Sequence, residues 1–153
     1  MLGLHYRSAY VIAGALLAGA ALGIGVVPGV AAAGEGDVQA SMQCDRASEP
    51  GRVRCTVEAR VDGNRTIAWA DVEILSLPDF ASALKGRIGP QDALAHDATT
   101  TKWALGLVAR RSGQGEVRAR VRVVACEPPR SGAEPKSRCV PVIVEVKAQV
   151  TVG

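Results

Sequence analysis

The sequence predicts an all-β protein, an antiparallel β-sandwich stapled by two disulfides. Three observations predict it. Apolar residues recur at every second position over long stretches, turn-forming residues fall between those stretches, and all four cysteines lie beyond an apolar N-terminal leader.

The leader comes first in the chain. Of 153 residues, the first 33 carry one charged side chain, Arg7, whereas all 15 acidic residues lie from Glu35 onward. Ala9 to Val27 is an uncharged run of mainly Ala, Leu, Gly, Val and Ile, and Pro28-Gly29 then interrupts any helix. Ala31-Ala32-Ala33 places small residues where export signals are cut, so residues 1–33 read as a cleavable secretory signal peptide and 34–153 as a single domain. An uncleaved anchor is the competing reading, since the run approaches the ~20 residues that cross a bilayer. The glycines and the Ala-x-Ala end favour cleavage, and the first cysteine, Cys44, is too far downstream for a lipid anchor. The mature chain is therefore expected to be periplasmic or extracellular, with no stable membrane insertion.

Beyond the leader, 17 basic and 15 acidic side chains leave a formal balance of +2, too small to point to nucleic acid or a polybasic membrane patch. Over the full 153 residues, a hydrophobic share of 48% argues against disorder. Cys44, Cys55, Cys126 and Cys139 form an even set in an exported chain, which points to disulfides. Their ten- and twelve-residue gaps do not match the short knuckles of structural zinc sites, so no metal and no cofactor is expected.

The strands follow from phase. Val53, Cys55, Val57, Ala59 and Val61 alternate with Arg52, Arg54, Thr56, Glu58 and Arg60, the pattern of a half-buried strand. Val117 to Ala125 alternates against Arg118, Arg120 and Arg122, and Val140 to Val152 against Glu145, Lys147, Gln149 and Thr151. Val38 to Cys44, Ile67 to Leu75 and Lys102 to Ala109 are weaker strands. In the second of these the apolar phase moves from Ile67 and Trp69 to Val72 and Ile74, which predicts a bulge near Ala70-Asp71. Asp62-Gly63-Asn64 and Ser112-Gly113-Gln114-Gly115 are expected to turn hairpins. Leu77 to Thr101 is a long connection with room for a helical turn at Asp79 to Lys85. Six or seven short strands with one long crossover suit an immunoglobulin-like sandwich.

Phase also bears on the cysteines. Cys44 and Cys55 share the inward parity of their strands, while Cys126 shares the parity of Arg120 and Arg122. Unlike environments favour the local pairs Cys44–Cys55 and Cys126–Cys139. The rival is a Cys55–Cys126 bridge over Trp69, although Val124 stands where immunoglobulin domains place a Tyr.

No catalytic constellation stands out. His96 is the one histidine beyond the leader, and beside Asp97 it reads as a solvated loop residue before it reads as an oriented base. Ser112 lacks a nucleophile-elbow context, and Gly113-Gln114-Gly115-Glu116 lacks the strand-to-helix setting of a phosphate loop. Arg118, Arg120 and Arg122 repeat at about 7 Å along one strand face. Such a ladder has the chemistry to receive an acidic glycan or another anion. Its alternative is a solvated face balanced by Glu58 or Glu145. The aromatic residues Trp69 and Trp103 fall in strands, where core packing is the usual fate.

The run from Val121 through Cys126 to Cys139-Val140-Pro141 joins two strands by a polar loop, with a cysteine at each strand end. It resembles the hairpin of the N-terminal, immunoglobulin-fold domain of the periplasmic thiol–disulfide interchange reductase. That resemblance implies Cys126 and Cys139 as exchanging thiols, with Arg130 and Arg138 near enough to favour a thiolate. The twelve-residue gap is longer than the family's spacing, and the aromatic residues that shield the family's pair are missing here. Two functions therefore stand: an exported, non-enzymatic interaction domain for an envelope or extracellular protein, and a thiol–disulfide exchange module. Neither needs a cofactor, and the sequence assigns no oligomeric state.

Overall fold

Alternating apolar and polar side chains build two antiparallel sheets whose apolar faces meet. The computed structural model describes residues 31–129 and 138–153. The first sheet contains β1 (Ala31–Glu35), β2 (Val38–Cys44), β3 (Gly51–Val61), β8 (Thr100–Ala109) and β5 (Ala81–Ala83) in that order, and β7 (Ala93–His96) also pairs with β8. The second runs β10 (Arg138–Val152), β9 (Gly113–Glu127), β4 (Thr66–Ser76) and β6 (Arg87–Ile88). The only helical element among the described residues is a single 3-10 turn at Pro90–Asp92. The fold is thus all-β with two antiparallel sheets, and its bridges are Cys44–Cys55 and Cys126–Cys139.

The inward parities predicted from phase are those found. Val53, Cys55, Val57, Ala59 and Val61 of β3 are buried, as are Val117, Ala119, Val121, Val123 and Ala125 of β9. Between the sheets lie Met42, Trp103, Leu105 and Leu107. Trp103 is fully buried and its indole N–H donates to the Gly89 carbonyl at 3.0 Å, so the ring packs without an unpaired donor. β10 departs from its phase at one end: Val144, Val146, Val150 and Val152 are buried, but Val140 is 42% exposed. There the end of β10 overhangs the core, while its β9 partner Ala125 stays buried.

Several expectations need correction. There are ten strands among the described residues rather than six or seven, because the long connection contains three short edge strands, β5, β6 and β7. Asp79 to Lys85 is not helical, and β5 lies within it. Neither glycine turn makes a hairpin. Asp62 to Arg65 carries the chain from β3 in the first sheet to β4 in the second, and Arg110 to Ser112 carries it from β8 to β9. Such turns fix a chain reversal but not whether the next strand pairs or crosses to the facing sheet.

The bulge in β4 sits two residues before its expected place. Ile67 pairs with Ala125 and Trp69 with Val124, so Ala68 is the inserted residue. This insertion turns Trp69 outward, 39% exposed, and corrects the expectation that it packs in the core. The expected leader lies outside the described residues apart from Ala31-Ala32-Ala33, which pair with Met42, Ser41 and Ala40. Cleavage before Gly34 would leave Gly34 and Glu35 of β1.

Candidate functional site

Strand register places two features on the outer face of the second sheet, one apolar and one charged. At the overhanging end, Trp69, Val124 and Pro141 stand side by side on β4, β9 and β10. The neighbouring outward rung is Asp71, Arg122 and Ile143, and on the other side lies Thr66, Cys126 and Cys139. Ile143 is 52% exposed and Pro141 is also exposed. The disulfide therefore closes one end of a strip of outward apolar side chains.

Within that bridge the two halves differ. Cys126 is buried at 8% exposure whereas Cys139 is exposed. The parity argument placed Cys126 outside the core, and it does stand on the outer face, but neighbouring residues cover it. Cys55 is fully buried and Cys44 half-buried. Arg138 begins β10 beside Cys139, and Arg130 lies outside the described residues.

Beyond Trp69 the same face is charged. Asp71 is almost wholly buried, and its carboxylate accepts from Arg122 Nε at 2.8 Å, from Arg122 Nη2 and from Arg87 Nε at 2.6 Å. The hydrogen bonds from Arg122 to Asp71 raise the guanidinium's pKa further, against a smaller effect of burial. Arg122 also stacks over Trp69, 5.6 Å from the ring centroid. Arg120 lies 3.8 Å from Glu73 and 4.0 Å from Glu145, and Arg118 is 3.0 Å from Glu145. Each arginine of the ladder thus has a carboxylate beside it. Glu145 is one of the two partners named from sequence. Glu58 instead belongs to the first sheet, where it meets Arg60 and Lys102.

The remaining sequence candidates have structural roles. His96 is the last residue of β7 rather than a loop residue, and its Nδ1 lies 2.8 Å from the hydroxyl of buried Thr101. Asp97 turns the chain into β8 by accepting from the N–H groups of Thr99 and Thr100, each at 2.8 Å, and these bonds hold its carboxyl below the ordinary range. Gly113 and Gly115 open β9 because Pro78 and Phe80 press on them. A Cβ on Gly113 would lie 2.9 Å from Phe80, and one on Gly115 only 2.6 Å from Pro78. Ser112 donates to the Gly153 carbonyl. Among the described residues, no group of three His, Cys, Asp or Glu side chains gathers as a metal site.

A second surface was not singled out from sequence. On the outer face of the first sheet a groove of about 840 Å³ runs beside the β2–β3 connection, over Ala104 and Gly106, to Leu84 and Lys85. Arg52 and Arg54 were legible as solvent-facing, but the groove is assembled from chain segments far apart in sequence.

The class these features define is a disulfide-stapled domain of two antiparallel β-sheets. No family model and no curated protein matches the chain. Among solved structures it is similar to one titled "Crystal structure of BslA - A bacterial hydrophobin", with a TM-score of 0.30 and 10% identity over 74% of this chain and 93% of that one.

Proposed function

We propose that the chain is an exported, non-enzymatic interaction domain, an immunoglobulin-like sandwich that presents the overhanging end of its second sheet to an envelope or extracellular protein. Export is supported by the leader and by two disulfides, which persist in oxidising compartments. The immunoglobulin-like reading is supported by strand order. β2-β3-β8-β5 facing β10-β9-β4-β6 follows the A-B-E-D and G-F-C arrangement, with β6 as an added edge strand. The bridges differ from that family's inter-sheet bond, since each joins neighbouring strands of one sheet.

The observation that carries the binding role is the outward rung of Trp69, Val124 and Pro141 beside Ile143. Apolar side chains grouped on a rigid strand face mark interaction sites, and Trp is a frequent anchor in them. The test compares capture from an envelope fraction by the protein and by its Trp69→Ala/Ile143→Ser variant. A partner bound by the first and lost by the second is expected. Equal capture by both would overturn the assignment of this face.

A second reading is favoured by the exposure of Cys139 at the end of this strip. A partner's thiolate would attack Cys139 Sγ, releasing Cys126 as thiolate, and the partner's second thiol would then resolve the mixed disulfide. The Cys126–Cys139 pair would leave with both electrons as two thiols, and the partner as a disulfide. The reduction potential separates the readings: a structural bridge lies below about −300 mV and an exchanging one is clearly more oxidising.

A further inference from the structure

The arginines at the β2–β3 end of the first sheet's outer face are partnered differently from those of the second sheet, although Arg60 and Lys102 farther along the first sheet both meet Glu58. On the second sheet Arg87, Arg118, Arg120 and Arg122 all lie within 4.0 Å of a carboxylate. On the first sheet Arg52 and Arg54, together with Arg46 of the β2–β3 connection, have no carboxylate within that distance among the described residues. All three line the groove. Asp45 and Glu49 share its rim without reaching them, and Lys85 is engaged by Asp92 at 2.6 Å.

The groove's cross-section is set by register. Arg54 stands opposite Gly106 and Thr56 opposite Ala104, so small residues floor the trough next to the arginine row. The far wall is Leu84, 58% exposed, whose N–H donates to the Gly106 carbonyl at 2.9 Å. Its side chain leans over Gly106, where a Cβ would lie 2.8 Å from Leu84 Cδ1. One wall is therefore cationic and the other apolar, with room between them for a chain without large side chains beneath it.

We propose that this groove binds an extended acidic segment of a partner protein, with carboxylates at alternate positions and apolar residues between them. Arg52 and Arg54 are two residues apart on a strand, about 7 Å, which is also the spacing of alternate side chains in an extended peptide. Such a peptide lying along the trough turns its acidic side chains to the arginines and the intervening ones to Leu84. Guanidinium groups suit this task because they meet carboxylates bidentately. The site lies on the opposite sheet from the apolar strip and stands independently of it.

The probe is a fluorescein-labelled peptide, acetyl-Glu-Leu-Glu-Leu-Glu amide, followed by anisotropy at low salt with the purified protein. Saturable binding is expected, weakened at least about tenfold by Arg52→Gln/Arg54→Gln and by replacing the peptide's glutamates with glutamines. Arg118→Gln should bind within about twofold of the original. Thermal melts of the double variant are expected to match, since both arginines are exposed and make no ion pair to lose. No binding, binding insensitive to the double variant, or preferential binding of polygalacturonate over the peptide through the same arginines would each overturn the proposal.

Discussion

Two tryptophans on neighbouring sheets have opposite environments, and one inserted residue is the cause. Trp103 follows the inward parity of β8, while Ala68 shifts β4 so that Trp69 faces water and receives Arg122 over its ring. Iodide should therefore quench Trp69 emission in a Trp103→Phe variant and leave Trp103 emission largely intact in a Trp69→Phe variant. Equal quenching of the two would contradict the outward placement. Asp71 offers a second test at this scale. Its buried carboxylate holds both Arg87 and Arg122, whose side chains are 53% and 30% exposed, so solvent screens part of each attraction. Asp71→Ala should lower stability by about 2 kcal/mol in urea melts, below the cost of breaking a fully buried pair. Arg87→Gln should cost less, because Arg122 keeps its two bonds to the carboxylate.

At the scale of elements, strands were legible and their partners were not. A period of two identifies which residues of β3, β9 and β10 face the core, since each side needs only its own burial. Whether Asp62-Gly63-Asn64 closes a hairpin depends on where β4 finds apolar surface, and that surface belongs to β9, far along the sequence. Short edge strands such as β6, with two residues, have no periodicity to read. The disulfides were legible because each lies between strands adjacent in sequence, Cys44 opposite Cys55 and Cys126 opposite Cys139. Their separations of 11 and 13 residues make each closure worth about 3 kcal/mol in the chain-entropy picture. Closure alone would make the two equivalent, so burial decides between them. Cys55→Ala should destabilise more than Cys126→Ala in denaturant melts, because Cys55 is fully buried among Val53 and Val57. Mild dithiothreitol should open Cys126–Cys139 first, as mapped by alkylation, because Cys139 is exposed. Simultaneous labelling of all four cysteines would remove that distinction.

Across the whole molecule, ion pairs are assembled by strand order, which the sequence shows only in part. The ladder of Arg118, Arg120 and Arg122 is visible from spacing alone, but its carboxylates come from β4 and β10 and become neighbours only through strand order. The groove over Gly106 was illegible for the same reason. The acid response should be uneven in consequence. Glu58 is held below its ordinary value chiefly by a hydrogen bond from Lys102, against some desolvation, with Arg60 helping. Asp97 is lowered by the N–H groups of Thr99 and Thr100, and Asp92 by Lys85 and then the Gly89 N–H. For each, the folded state binds the proton less readily than the unfolded chain, so its stabilisation is complete above the ordinary carboxylate values and is lost as pH falls below them. All three lie on or beside β7, β8 and the 3-10 turn, whereas β9 and β10 pair over their whole lengths and are closed by a bridge. Lowering the pH from about 6 to about 2.5 should therefore reduce the urea midpoint progressively, with amide protection lost first around Asp97 to Thr101. Asp97→Asn should flatten the pH dependence, because the amide oxygen accepts from Thr99 and Thr100 more weakly and does not titrate. An unchanged slope in that variant, or earlier loss of protection in β9 and β10, would place the acid-sensitive contacts elsewhere.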